Sequence, residues 1–288
     1  MSTKKDNFTS KDKQFMQIAL NLAIAREGLT GTNPSVGCVI VKDNKIISIG
    51  QTSYNGRPHA ERNAIKDSIE NVAGSKMYVT LEPCCHKGKT PPCTNLIIKS
   101  KISEVIYSIS DIDERVSGKS FKVLKSSKIK VGKNLLKKDI SRFYYPYFFN
   151  RKNKIPFVTG KIAVSKNNLI YSKEKQKITN IYSDKFSHFL RYKNDTILIS
   201  YKTLNKDNPK LNCRLKNKNN FSPIRVILDS KLNSNLNSYL IKSASKIKTI
   251  IFYNEATKSK LSLFKSKKVL LIKSKINKNK EFKLKEIL

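Results

Sequence analysis

A chain of 288 residues is long enough for two domains of ordinary size, and no run of about 18 apolar residues points to a membrane span. Its formal charge of +37 arises from 58 Lys and Arg against 21 Asp and Glu, yet only nine of the cations are Arg and many Lys alternate with Asn. Nucleic-acid sites draw on Arg for bidentate contacts and on aromatics for stacking, so this charge reads as solvated surface, a field that would also favour a phosphorylated small substrate.

Residues 1–10 are polar and lack the apolar core of a signal peptide. Lys11 to Glu27 carries Phe15, Ile18, Ala19, Leu22 and Ala23 at helical spacing, with Gly28 as a stop. Val36–Val41 and Lys45–Gly50 flank Asp43-Asn44 and read as a hairpin, with Cys38 in its apolar core. A helix is predicted from His59 to Ile69, a strand from Lys76 to Leu81, a helix from Pro92-Cys93 to Ile98 and a strand from Ser103 to Ile109. This alternation predicts a three-layer α/β/α unit with a mixed sheet. The aromatic run Phe143–Phe149 has no basic residue within it and is read as packing between two domains; the boundary is set at residues 150 and 151. Beyond it, Phe157–Val164, Thr196–Ser200, Arg225–Asp229, Lys248–Tyr253 and Val269–Ile272 read as short strands.

The chemistry concentrates in Tyr78–Cys93 and His59-Ala60-Glu61. Cys84 and Cys93, with eight residues between them, and His59 supply three zinc donors. Three protein ligands leave a fourth position for water, as a catalytic zinc centre requires, whereas a structural site closes with four. Cys85 is adjacent to Cys84 and points elsewhere on an extended backbone; His86 is the alternative fourth ligand. Glu61 follows His59 by two residues and is placed to move protons without ligating. His-x-Glu followed by Pro-Cys and a later Cys is the pattern of zinc deaminases. Both cysteines are expected near helix N-termini, where thiolate is favoured. Asn33 is placed to read a heterocycle edge, and His86, Lys89 and Thr90 around Gly88 to contact the substrate and its phosphate. Five cysteines, three of them grouped with His86, fit metal or thiol chemistry in a reducing cytoplasm rather than a disulfide framework.

The segments Asn33-Pro-x-Val-Gly-Cys-Val-Ile-Val, His59-Ala-Glu and Tyr78-Val-Thr-Leu-Glu-Pro-Cys-x-His-x-Gly-Lys-Thr-Pro-Pro-Cys resemble the bifunctional riboflavin-biosynthesis deaminase/reductase family. The wide cysteine spacing separates them from the Pro-Cys-x-x-Cys of nucleoside and tRNA deaminases. The resemblance implies a cytidine-deaminase-like domain over 1–150 that removes the pyrimidine amine of a 2,5-diamino-6-ribosylamino-pyrimidinone 5′-phosphate. It implies zinc on His59, Cys84 and Cys93, Glu61 as proton shuttle, and a cytoplasmic enzyme that is commonly a homo-oligomer, with neither membrane nor nucleic acid as partner. Cys85 stands where the family has Ser.

Residues 151–288 resemble that family's reductase domain, of dihydrofolate-reductase-like fold, which uses NADPH to reduce the ribose. Lys161-x-Ala-x-Ser165, Ile178-Thr179, Leu190-Arg191, Asp207-x-Pro209-x-Leu211 and Pro223–Ser230 carry the likeness. It implies substrate contacts from Arg191, Leu211 and Arg214 and NADPH contacts from Thr203 and Asp207. The chain departs from the pattern at Lys166-Asn167-Asn168, at Lys175 and at Lys177, and its last glycine is Gly160. The family's Glu-Gly-Gly turn for the cofactor phosphates is not met before Leu288, so the second domain is expected to be divergent or incomplete and its reductase impaired.

Overall fold

The structure, a computed structural model, describes residues 8–170, 178–216, 218 and 221–288; the departures at Lys175 and Lys177 lie outside these. The chain divides into two units, Met1–Phe157 and Val158–Leu288.

In the first unit α1 (Ser10–Arg26) starts on a reciprocal cap. The Thr9 hydroxyl accepts from the Asp12 amide at 3.1 Å, and the Thr9 amide donates to the Asp12 carboxylate at 2.8 Å. Its buried face is Phe15, Met16, Ala19, Leu20 and Ala23, so the predicted stripe is rotated slightly, leaving Ile18 and Leu22 at its edge. The hairpin of β1 (Gly37–Lys42) and β2 (Lys45–Gln51) turns at Asp43-Asn44, where φ is 49° and 60°. Asp and Asn tolerate this left-handed pair, which matches the twist of the strands. With β3 (Lys76–Leu81), β4 (Glu104–Ile109) and β5 (Lys130–Lys133) they form a five-stranded sheet ordered β2-β1-β3-β4-β5, antiparallel at β1 and parallel from β3 onward. The mixed sheet is the one the sequence predicts.

Helices cover both faces. Tyr78 on β3 packs its ring 5.3 Å from Phe15 of α1. Thr80, two residues on, shares that face and meets α5 (Lys137–Asn153): the Tyr144 hydroxyl lies 2.7 Å from Thr80 Oγ1 and donates to the Ser35 carbonyl at 2.7 Å. On the opposite face Cys38 pairs in register with Gly50, and α2 (Ala60–Lys66) lies against them, followed by α3 (Cys93–Lys99) and α4 (Lys119–Ser126). The aromatic run therefore differs from its predicted role. It lies inside α5, with Tyr144 in the first unit's core and Phe143, Tyr147 and Phe148 packed on it. Burial of these rings holds the helix together although Pro146 removes one backbone donor.

The second unit carries α6 (Ile181–Lys193) and an all-parallel sheet of β6 (Thr196–Ser200), β7 (Ile224–Leu228), β8 (Thr249–Tyr253) and β9 (Leu270–Lys273) in sequence order. The connections contain α7 (Tyr201–Asp207), α8 (Tyr239–Lys242) and α9 (Lys258–Ser266), as parallel strands need crossovers. Four predicted strands are present within a residue or two at their ends. Phe157–Val164 is not a strand: no neighbour pairs with it among the described residues, and Val158 and Ile162 stay exposed. β-branched residues favour a strand only where a ladder exists to receive them. Arg225 is fully buried beneath the sheet, donating to Thr249 Oγ1, Ser243 Oγ and the carbonyls of Leu240 and Ile247; burial lowers its pKa to about 10. No helix among the described residues is long and apolar enough to cross a membrane.

Candidate metal centre and active site

Three elements of the first unit meet at one point. His59 caps α2 at its N-terminus, Cys84 follows β3, and Cys93 is the first residue of α3. His59 Nδ1 lies 3.6 Å from Cys84 Sγ and 3.5 Å from Cys93 Sγ, and the Cys93 amide donates to Cys84 Sγ at 3.3 Å. The three donor atoms are mutually within 4.8 Å, the only such trio of His, Cys, Asp or Glu among the described residues. Two sulfurs and an imidazole nitrogen are a donor set suited to zinc, and the trio closes no tetrahedron by itself. Cys84 sits in a loop rather than on a helix, and receives the helix N-terminus's effect through the Cys93 amide. Cys85 turns away, its sulfur toward the Arg115 carbonyl at 3.5 Å.

The protonation pattern follows from these contacts. The two thiols share one proton: the Cys93 S–H donates to Cys84 and holds the Cys84 thiol down to about 4, while the same bond and burial raise Cys93. The bond to Cys84 raises His59. Glu61, in the first turn of α2, is only 3% exposed, and burial pushes its carboxyl up. A carboxyl poised upward and held beside metal donors is suited to passing protons.

A cavity opens onto His59, Glu61 and Cys84, and Asn33, His86 and Thr90 line it. Asn33 donates its amide N–H to the Gly56 carbonyl at 2.8 Å, which fixes the carboxamide and leaves Oδ1 as its available acceptor. Lys89 is exposed and does not line the cavity. Residues not singled out from the sequence also line it: Arg57, Glu82, Asp111, Asp113, Arg115 and Arg151. Asp111 and Asp113 follow β4 directly, at the carboxyl edge of parallel strands where α/β sites collect, and that rule is the signal that finds them. Burial raises the Asp111 carboxyl, whereas hydrogen bonds from Arg115 hold Asp113 well below the usual carboxylate range.

In the second unit Arg191 and Arg214 line one cavity with Lys161, Asp184, Ser187 and His188. His188 Nδ1 accepts the Arg214 amide at 3.1 Å, and Arg214 Nη1 donates to Asn212 Oδ1 at 2.7 Å. Leu211 packs into the apolar core at 7% exposure. Thr203 and Asp207 lie on α7, outside that cavity's lining.

Comparison with known proteins finds two regions. Residues 9–109 match the cytidine and deoxycytidylate deaminase zinc-binding region, and residues 160–288 match the RibD C-terminal domain. The riboflavin biosynthesis protein RibD of Aquifex aeolicus is 34% identical over 278 residues, covering 96% of this chain and 78% of the relative. That of Actinobacillus pleuropneumoniae is 35% identical over 245 residues, covering 84% of this chain and 65% of the relative. Among solved structures, a diaminohydroxyphosphoribosylaminopyrimidine deaminase/5-amino-6-(5-phosphoribosylamino)uracil reductase from Thermotoga maritima superposes with a TM-score of 0.78 at 31% identity, over 92% of this chain and 81% of that one. A RibD from Acinetobacter baumannii gives 0.76 at 28% identity, over 93% and 75%.

Proposed function

Because the chain belongs to the RibD family of riboflavin-biosynthesis proteins, with a deaminase zinc-binding region followed by a RibD C-terminal domain, we propose that its first unit hydrolytically deaminates the diaminohydroxyphosphoribosylaminopyrimidine named for the Thermotoga relative. The observation that carries this reading is the buried Glu61 beside the His59, Cys84 and Cys93 trio. Zinc, which His59, Cys84 and Cys93 would hold, would supply a water of lowered pKa. The Glu61 carboxylate takes one proton from the attacking water and delivers it to the ring nitrogen, then takes the remaining hydroxyl proton and delivers it to the departing amine, so that a C–O bond replaces a C–N bond and ammonia leaves. Asn33 and His86 orient the heterocycle, and Thr90 lies toward the substrate phosphate. Product analysis of the zinc-loaded protein given this ribotide tests the proposal: ammonia and the deaminated pyrimidine are expected, and an unchanged substrate overturns it.

A second activity is favoured by the match over 160–288 and by the cationic cavity of Lys161, Arg191 and Arg214. We assign the second unit the NADPH-dependent reduction of the deaminated ribotide, its phosphate and ribose held by Arg191 and Arg214. Thr203 and Asp207 follow the carboxyl end of β6, where parallel α/β sheets take ligands, and are assigned to NADPH. Leu211 contributes from the apolar core. The expectation of an impaired reductase has no support in the fold, and the bifunctional reading is the better supported of the two. Loss of NADPH absorbance on adding the deaminated ribotide, with a ribityl product, is the expected result; a ribose left unreduced overturns it.

A further inference from the structure

Three arginines line the first unit's cavity, and two are already engaged. Arg115 clamps Asp113, its Nε donating at 2.9 Å and its Nη2 pairing with the other oxygen. Arg151 donates to the Thr32 carbonyl at 2.6 Å and lies over the Tyr147 ring at 5.3 Å. Arg57 is different. It is half-buried and donates to the Thr90 hydroxyl at 2.8 Å, and no ion pair among the described residues includes it. Its Nη1 also stands 3.4 Å from His59 Nε2. His59 turns Nδ1 toward the two sulfurs, so with Nδ1 as a ligand the neutral ring carries its proton on Nε2. Two donors then face each other, and the guanidinium has no acceptor on that side. A methyl group at Gly88 would lie 3.8 Å from both Arg57 Nη2 and His86 Nε2, so Arg57 stands beside His86 across the bare backbone of the loop.

We infer that Arg57 is a specificity-determining residue of the deaminase site that grips the phosphomonoester of the substrate, with Thr90 fixing the guanidinium. The inference rests on the first unit's being a ribotide deaminase. A phosphomonoester is the substrate's one full anion, and a guanidinium fork meets two of its oxygens at once. Lys89, the cation that sequence reasoning places there, is exposed and outside the lining. Arg57, which lines the cavity and is bonded to Thr90, supplies the charge.

The test uses the zinc-loaded full chain, with R57Q and R57K, on the ribotide and on its dephosphorylated riboside. In R57Q the KM for the ribotide rises about ten- to a hundredfold, as for loss of a charged hydrogen-bonded pair, and the preference for ribotide over riboside falls by the same factor. Competitive inhibition by inorganic phosphate weakens in parallel, the zinc content stays at the wild-type value, and R57K regains part of the preference. An unchanged preference and unchanged phosphate inhibition overturn the inference. So does a loss of zinc, or an equal fall in kcat on both substrates, since Arg57 would then act on the metal centre. Should the wild type fail to deaminate the ribotide, the deaminase reading falls, and the affinity for inorganic phosphate in wild type against R57Q still decides the role of Arg57.

Discussion

Gly50 and Ala60 meet backbone to backbone: a methyl group at Gly50 would stand 2.2 Å from the Ala60 carbonyl oxygen and 2.5 Å from the Ala64 amide nitrogen. Ala60 lies between His59 and Glu61, so the distance from β2 to α2 sets where a metal donor and a proton carrier sit. Gly50→Ala forces α2 outward while touching neither residue. Zinc affinity, read by chelator competition, is expected to fall at least about tenfold, and kcat/KM about a hundredfold, the usual cost of misplacing a catalytic group by roughly 1 Å. Wild-type zinc affinity in this variant would show that α2 is free to slide.

Glu61→Gln keeps the size of the side chain and removes its ability to take a proton. Zinc stoichiometry stays at the wild-type value, and deamination falls about a hundred- to ten-thousandfold, the span of a lost general acid–base. Retained turnover with bound zinc would assign proton transfer to another group.

Zinc uptake releases protons in a number fixed by the trio. Cys84 is already a thiolate at neutral pH because its thiol is held down to about 4, whereas Cys93, raised, still carries its proton. His59, also raised by its bond to Cys84, holds a proton more readily than an ordinary imidazole and must lose any it carries to bind. Cys93 therefore gives up one proton and His59 a further share, so the number released rises as the pH falls. Calorimetry in buffers of different ionisation enthalpy measures the count. Release of fewer than one proton at pH 7 would mean that Cys93, rather than only Cys84, is ionised beforehand.

Arg225→Met tests the second unit alone. The variant removes a buried charge and the N–H donors that serve Thr249 Oγ1, Ser243 Oγ and the Leu240 and Ile247 carbonyls, leaving the Thr249 hydroxyl's bond to Ile247 at 3.0 Å. The unfolding transition of this unit is expected to lose about 2–4 kcal/mol, while zinc affinity in the first unit is unchanged. A stabilised variant would show that methionine packing outweighs the lost hydrogen bonds.

What the sequence makes legible depends on how local the physics is. Thr9 and Asp12, Asp43-Asn44, and the order His59, Glu61, Cys84, Cys93 act over a few residues or through fixed chemical spacing, and each can be read directly. α6 is missed although Tyr182, Phe186, Phe189 and Leu190 recur at helical spacing, and none of its residues is buried. α5 is masked by Pro146, and its aromatic run carries no sign of which surface it covers. Arg57 looks like one more surface cation until the 86–90 loop folds over it. Phe157–Val164 fails in the other direction: strand-forming residues are present, but the ladder that would use them is not.

The Tyr144 hydroxyl joins Thr80 and Ser35 across 64 and 109 residues of chain. During synthesis, β1 and β3 therefore leave the ribosome well before the helix that seals their face, and non-local closure of this kind is slow. The first unit's core is completed by its own last helix, so a nascent chain stopped ahead of residue 144 exposes the part of that face which α1 does not cover. Closure of that face therefore waits for α5.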